Sequence, residues 1–308
     1  MKTAQIHKFG GSKVIEIAEV EKPKPGLGQV LVKIYAASIN PFDYKVRGGM
    51  IPSMKLPFTL GGDIAGVVAE VGQGVENFVV GNKIYGQAIV LAGATGAFSE
   101  FAAVPVNFLA TMPKNLDFPE AAAAVLVGVS AVQALAGHTQ LKAGQKILIH
   151  GGAGGIGHLA IQIAKSIGAY VATTATGEGM EFAKKMGADE VVDYKTQKFE
   201  EVLKDYDAVF DTIGGETFEK SFAVLKKGGV LVSMVAKDEK GLAEKYSVTI
   251  ISQATKVTAE NLQKLTEFIE NKGVKPHIDK IYPLDSIKEA FGEQEKGEVL
   301  GKIVINIQ

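Results

Sequence analysis

The chain has 308 residues, 46% apolar and 22% charged, and its 33 Lys and Arg nearly balance 34 Asp and Glu for a formal charge of −1. This is a globular composition, too apolar for a disordered chain and too evenly charged for a protein that binds nucleic acid or a membrane surface through bulk positive charge. No cysteine is present, which excludes disulfides, cysteine nucleophiles, iron–sulfur clusters and thiolate zinc sites.

The basic residues near Met1 are not followed by an apolar run, so no signal peptide is expected. The longest apolar stretch, residues 121–129, is too short to span a bilayer, and a cytoplasmic protein is expected. The length suggests about two domains. The first third carries short β-like runs at 30–35, 64–72 and 81–86, broken by turn residues such as Pro25-Gly26-Leu27-Gly28, and reads as a β-barrel or sandwich domain. Near Asp117 the pattern changes. Asp117 caps a predicted helix opening at Pro119-Glu120 and running through the alanines.

From there strands and helices alternate. Strands are predicted at 146–150, 170–174, 190–193, 207–211 and 229–234, and helices at 158–167 and 180–186, each of these two ended by a glycine. Such alternation implies a parallel sheet covered by helices on both faces. The last stretch holds a helix at 259–271, an extended segment at 278–282, another helix and a strand at 302–307.

The strongest local signal is Gly152-Ala153-Gly154-Gly155-Ile156-Gly157, a G-x-G-x-x-G run between a predicted buried strand and a helix. Glycines there let the backbone turn tightly and approach a pyrophosphate, while the helix N-terminus offers N–H groups and partial positive charge. The next strand ends Thr173-Thr174-Ala175-Thr176-Gly177. An NAD site usually places an acid at that point for the ribose 2′-hydroxyl. Its absence favours NADPH, with Lys184, Lys185 and Lys195 as possible counter-charges or ordinary surface lysines. Glu178 lies just beyond and would repel a 2′-phosphate if it pointed inward.

Several segments together resemble the medium-chain dehydrogenases/reductases, specifically the zinc-free quinone oxidoreductase branch with its enone oxidoreductases and alkenal reductases. They are residues 36–45 (AASINPFDYK), 60–68 (LGGDIAGVV), 128–131 (GVSA), the glycine run, 187–189 (GAD) with 193–195 (DYK), 210–214 (FDTIG) and 301–304 (GKIV). The resemblance spans nearly the whole chain. It implies an α/β protein: a GroES-like β-barrel catalytic domain at 1–118, a Rossmann doubly wound parallel-sheet domain at 119–260, and a return to the catalytic domain at 261–308, with the active site in the cleft between them. Lined up on these motifs, the zinc ligands of other members fall at Asn40, at Gly62-Asp63 and near Leu126. No soft ligand survives, so no metal is expected.

The implied reaction is hydride transfer from NADPH to a quinone or an α,β-unsaturated carbonyl. By position, Lys45 contacts the cofactor or steadies the developing enolate, Tyr44 packs on the substrate or delivers a proton, and Asn40 and Asp43 fix their loop. Gly152, Gly154, Gly155, Ile156 and Gly157 meet the diphosphate, with Gly155 and Ile156 foremost. Thr174, Ala175, Thr176, Gly177 and Glu178 surround the adenosine ribose, and relatives carry arginine where this chain has Glu178. Tyr194 lies along the adenine. Ser130, Ile213 and Met234-Val235-Ala236 border the nicotinamide, and Gly301 and Lys302 close over the cofactor. A homodimer and a small-molecule substrate are expected. Two other readings remain: a non-catalytic NADPH-binding protein of the same fold, and an alcohol dehydrogenase.

Overall fold

The computed structural model describes residues 1–308. In chain order the first part forms β1 (Lys2–Ile6), β2 (Ile15–Glu19), β3 (Gln29–Ser38), α1 (Pro41–Arg47), β4 (Phe58–Thr59), β5 (Asp63–Val71), β6 (Lys83–Gln87), β7 (Phe101–Pro105) and β8 (Leu109–Thr111). Then follow α2 (Phe118–Val132), β9 (Lys146–Ile149), α3 (Gly155–Ile167), β10 (Tyr170–Ala175), α4 (Glu178–Lys185), β11 (Glu190–Asp193) and α5 (Phe199–Val202). The chain continues with β12 (Tyr206–Asp211), α6 (Gly215–Ser221), β13 (Leu225–Ser233), α7 (Leu242–Tyr246) and β14 (Thr249–Ser252). It ends with α8 (Ala259–Lys272), β15 (Ile278–Pro283), α9 (Ile287–Lys296) and β16 (Lys302–Asn306).

Two compact units result. The first comprises Met1–Leu126, Val257–Thr266 and Pro276–Gln308, and the second Val127–Lys256 and Glu267–Lys275. The division falls inside α2, eight residues beyond the expected boundary at 118, because the start of this alanine-rich helix belongs to the first unit. Asp117 caps it as expected: Glu120 N–H donates to Asp117 Oδ1 at 2.8 Å, and Asp117 N–H donates to Glu120 Oε2 at 3.2 Å. The helical run Phe118–His138 is 21 residues, long and apolar enough to span a membrane by length and composition, contrary to the expectation from 121–129 alone. Its window is 72% buried inside the protein, so it is a core helix.

In the first unit a seven-stranded sheet runs β15-β16-β3-β5-β6-β8, with β7 also paired to β3, and a smaller sheet runs β2-β1-β4. The C-terminal strand β16 lies antiparallel to β3, with Val304 opposite Ser38. Alternation along these strands fills one core with residues such as Ile6, Val32, Ile64, Phe98, Phe291 and Ile303.

The second unit is an all-parallel sheet in the order β11-β10-β9-β12-β13-β14. In sequence rank this is 3-2-1-4-5-6, the doubly wound order, with its switch point between β9 and β12. Three of the four β9 residues are buried, as a strand covered on both faces requires. The edge strand β14 was not predicted; it is short and half exposed, so it has little apolar signal to read.

Candidate functional site

The glycine run follows β9 at the switch point and opens α3. Gly154 is the N-cap of α3, and no side chain caps the helix. Two glycines are required by contact. A Cβ at Gly157 would lie 2.1 Å from the Gly151 carbonyl oxygen, and one at Gly152 would lie 2.2 Å from Thr173 Oγ1. What remains is a turn of main chain leading to a helix N-terminus, the arrangement that receives a pyrophosphate. The residues fit a dinucleotide.

A hydrogen-bond chain holds this turn from beneath. Gly151 N–H donates to Thr174 Oγ1 at 3.1 Å, and that hydroxyl lies 3.2 Å from His150 Nδ1. His150 Nε2 lies 2.9 Å from Ser221 Oγ, which donates to the Thr217 carbonyl at 2.6 Å. These partners suit a neutral ring that accepts at Nδ1 and donates from Nε2. Burial lowers the His150 pKa to about 4, against the raising influence of Asp211 and Glu200. Thr174, expected at the ribose, is buried and spends its hydroxyl here.

Three large apolar side chains stay exposed just beyond the carboxyl ends of strands of the parallel sheet: Tyr194 after β11 (57%), and Ile213 (56%) and Val235 (54%) after the neighbouring β12 and β13. Exposed apolar groups gathered at the ligand-binding edge of a doubly wound sheet mark a surface kept open for a partner. Asp211 and Ser233, which sequence reasoning missed, set the last two. Asp211 Oδ1 accepts from the N–H groups of Ile213 (3.0 Å) and Gly214 (2.9 Å), and its Oδ2 accepts from Ser233 Oγ at 2.7 Å. Ser233 Oγ in turn accepts from the N–H groups of Val235 and Ala236 at 3.2 and 3.0 Å. The available signal was an aspartate ending a strand before a glycine turn, the signature of an Asx turn.

At the end of β10, Ala175 is buried, Thr176 is half-buried, and Gly177 and Glu178 are exposed. Asp193, at the end of the neighbouring β11, is held below the usual carboxylate range chiefly by a hydrogen bond from the Thr176 side chain, then by the Lys195 N–H. Met234 and Ala236 are half-buried. Ser130 is fully buried, with its hydroxyl 2.6 Å from Thr255 Oγ1.

In the first unit, the segment 41–45, expected as a loop, is the start of α1. Pro41 occupies the first helical position, where its missing N–H costs nothing, and Asp43 Oδ2 accepts from the N–H of the N-cap Asn40 at 2.7 Å. Tyr44 packs against the unit's core and Lys45 is exposed. Asn40, Asp63 and Leu126 do come together: Asp63 Oδ2 accepts from Asn40 Nδ2 at 2.7 Å, Ser38 Oγ at 3.1 Å and Leu126 N–H at 3.4 Å. Lys302 is buried beside them, its ammonium donating to Ile39 O and Asn40 Oδ1, both at 2.6 Å. This set does not fit a zinc ion. It offers one carboxylate, an amide engaged at both ends and a resident cation, where zinc takes thiolate, imidazole or several carboxylates. Gly301 is buried at φ +77°, where a Cβ would lie 2.5 Å from the His277 carbonyl oxygen.

Comparison with known proteins agrees with both units. Residues 26–114 match the alcohol dehydrogenase GroES-like domain and residues 186–305 match the zinc-binding dehydrogenase family. The NADPH-dependent alkenal/one oxidoreductase of Arabidopsis thaliana chloroplasts is 34% identical over 99% of this chain and 79% of its own length. Among solved structures, the quinone oxidoreductase of Coxiella burnetii superposes with a TM-score of 0.91 at 30% identity, covering 100% of this chain and 99% of that one. The Escherichia coli quinone oxidoreductase complexed with NADPH gives 0.90 at 27% identity, with both chains covered completely. The chain thus belongs to the medium-chain dehydrogenase/reductase family, in its quinone oxidoreductase branch.

Proposed function

We propose that this protein is an NADPH-dependent oxidoreductase that reduces a quinone or an α,β-unsaturated carbonyl without zinc. The observation that carries the reading is the glycine cradle at the switch point, whose Gly152 and Gly157 leave no room for a Cβ. Bound there, NADPH supplies a hydride to the electrophilic carbon, and the displaced π electrons move to the carbonyl oxygen. The chain's own residues then bind and orient. The first turn of α3, from Gly155 and Ile156, holds the diphosphate. Tyr194 offers its ring to the adenine, and Ile213 and Val235 offer an apolar wall to the nicotinamide. Lys45 and Tyr44, consecutive on α1, are assigned the charge developing on the substrate oxygen. Ser130 is assigned a contact at the nicotinamide, and Gly301 one near the cofactor through its main chain.

The metal-free reading rests on the Asn40–Asp63–Lys302 set. An ammonium buried among these groups already provides the positive charge that a metal would bring. At the ribose, Glu178 and Asp193 are both acids, and Lys195 is the neighbouring cation. Discrimination for the 2′-phosphate is therefore expected to be modest, and Glu178→Arg should tighten NADPH about tenfold relative to NADH. A homodimer is also proposed, since β14 closes the parallel sheet with an edge that no strand of this chain covers.

The test is NADPH oxidation by the purified protein with a panel of small quinones and alkenones, before and after dialysis against a chelator. Turnover that survives chelation is expected. Tight NADPH binding with no turnover on any electrophile would favour a non-catalytic role, and activity restored only by zinc would overturn the metal-free mechanism.

A further inference from the structure

The first unit buries an unusual amount of charge in one place. Ser38, Asn40, Asp43, Asp63 and Lys302 are all at most 5% exposed. Neighbouring strands deliver three of them. Ser38 is the last residue of β3 and stands opposite Asp63, the first residue of β5; Lys302 is the first residue of β16, which pairs β3 on its other side. Asn40 and Asp43 come from the start of α1. Two carboxylates thus share one ammonium. Asp63 Oδ1 is buried with no hydrogen-bond partner. Burial, with the Asp63 charge as a lesser cause, pushes Asp43 up to about 7, against the lowering pull of the Asn40 N–H and Lys302. Burial also raises Asp63 and lowers Lys302.

The Lys302 ammonium donates to the corner that begins α1, at Ile39 O and Asn40 Oδ1. Asn40 passes the restraint on through Nδ2 to Asp63 and through its N–H to Asp43, three residues into the helix. We propose that Lys302 is a positioning residue: its buried ammonium clamps the Ile39–Asn40 corner and so fixes where α1 presents Tyr44 and Lys45, rather than contacting the cofactor. The catalytic part of this inference rests on the proposed reductase activity. A long lysine stem crossing from β16 to the helix start is a stiff tether when its head is bonded, and here Asp63 and Asp43 oppose the burial that lowers the pKa of that head.

Lys302→Met keeps the stem and deletes the charge, and Lys302→Arg keeps the charge. In Lys302→Met, kcat for an alkenone should fall at least about tenfold while the NADPH dissociation constant stays within about threefold, and Lys302→Arg should recover most of the rate. Carbon-13 carboxyl NMR should show Asp43 titrating near 7 in the parent protein and higher in Lys302→Met, since the facing cation is gone while Asp63 remains. If Lys302→Met does not fold, the double variant Lys302→Met/Asp63→Asn removes the stranded carboxylate and is expected to fold while keeping the rate defect. An NADPH dissociation constant raised tenfold with kcat unchanged would make Lys302 a cofactor contact and overturn the proposal. A lower melting temperature with unaltered kinetics and an unaltered Asp43 titration would also overturn it, as a purely structural role. Should the parent protein turn over no electrophile, the reductase reading fails by itself. The clamp is then judged by amide shifts: changes at Tyr44 and Lys45 with none at residues 154–157 support it, and no change at Tyr44 and Lys45 refutes it.

Discussion

His150 shows how a single side chain ties the cofactor turn to solution pH. Its folded-state pKa of about 4 lies below the ordinary 6.5, because burial disfavours the charged ring. Stability from keeping it neutral is therefore complete above about pH 6.5 and is lost as pH falls toward 4. The linkage amounts to roughly 3 kcal/mol across that window. His150→Gln should cost about 1–3 kcal/mol at neutral pH by leaving Ser221 and Thr174 imperfectly paired, and should flatten the acid limb. Urea unfolding of both proteins across that range checks it; equal slopes would mean that His150 carries no part of the acid sensitivity. The sequence shows this histidine only as the last residue of the predicted strand before the glycine run. Its partners lie 24 and 71 residues away, a separation no local pattern encodes. Lys302 was expected to close over the cofactor, and no local pattern shows that the fold buries its ammonium against Asn40.

At the scale of elements, the βαβ unit that carries the cradle was legible almost residue by residue. Its strands are short and apolar, and Gly168 ends α3 in the left-handed conformation at φ +93°. The helix nevertheless starts at Gly155 rather than 158, because helix N-terminal turns tolerate glycine when the backbone itself is the binding surface. Gly157→Ala tests that surface. Its Cβ would meet the Gly151 carbonyl, so the turn must open; a loss of about 1–3 kcal/mol and at least tenfold weaker NADPH binding are expected from denaturation and titration. Unchanged NADPH affinity would detach the cradle from the cofactor. The helix α1 was the element read wrongly. At seven residues with a leading proline it offers too little periodicity, although its Asn40-x-x-Asp43 spacing is a capping signal in plain view.

Across the molecule, the first unit is assembled from distant stretches of chain. β16 is inserted between β15 and β3, and α9 contributes Ile287, Ala290 and Phe291 to the same core as Ile6 and Val32. Removing residues 276–308 should therefore strip β3 of a sheet partner and expose that core, giving an insoluble chain rather than a shortened enzyme. Expression of the truncated chain as a soluble, cooperatively melting protein would contradict this reading.

By itself the sequence determined the parallel α/β unit, its phosphate-binding turn and the absence of thiolate chemistry, because each follows from residue type and short-range spacing. Tertiary structure alone decided that residues 267–275 rejoin the second unit, that Asp211 and Ser233 hold the loops after β12 and β13, and that Lys302 sits buried against Asn40. Those are contacts between residues far apart in the chain, and only burial fixes the charge and bonding of groups that the sequence leaves free.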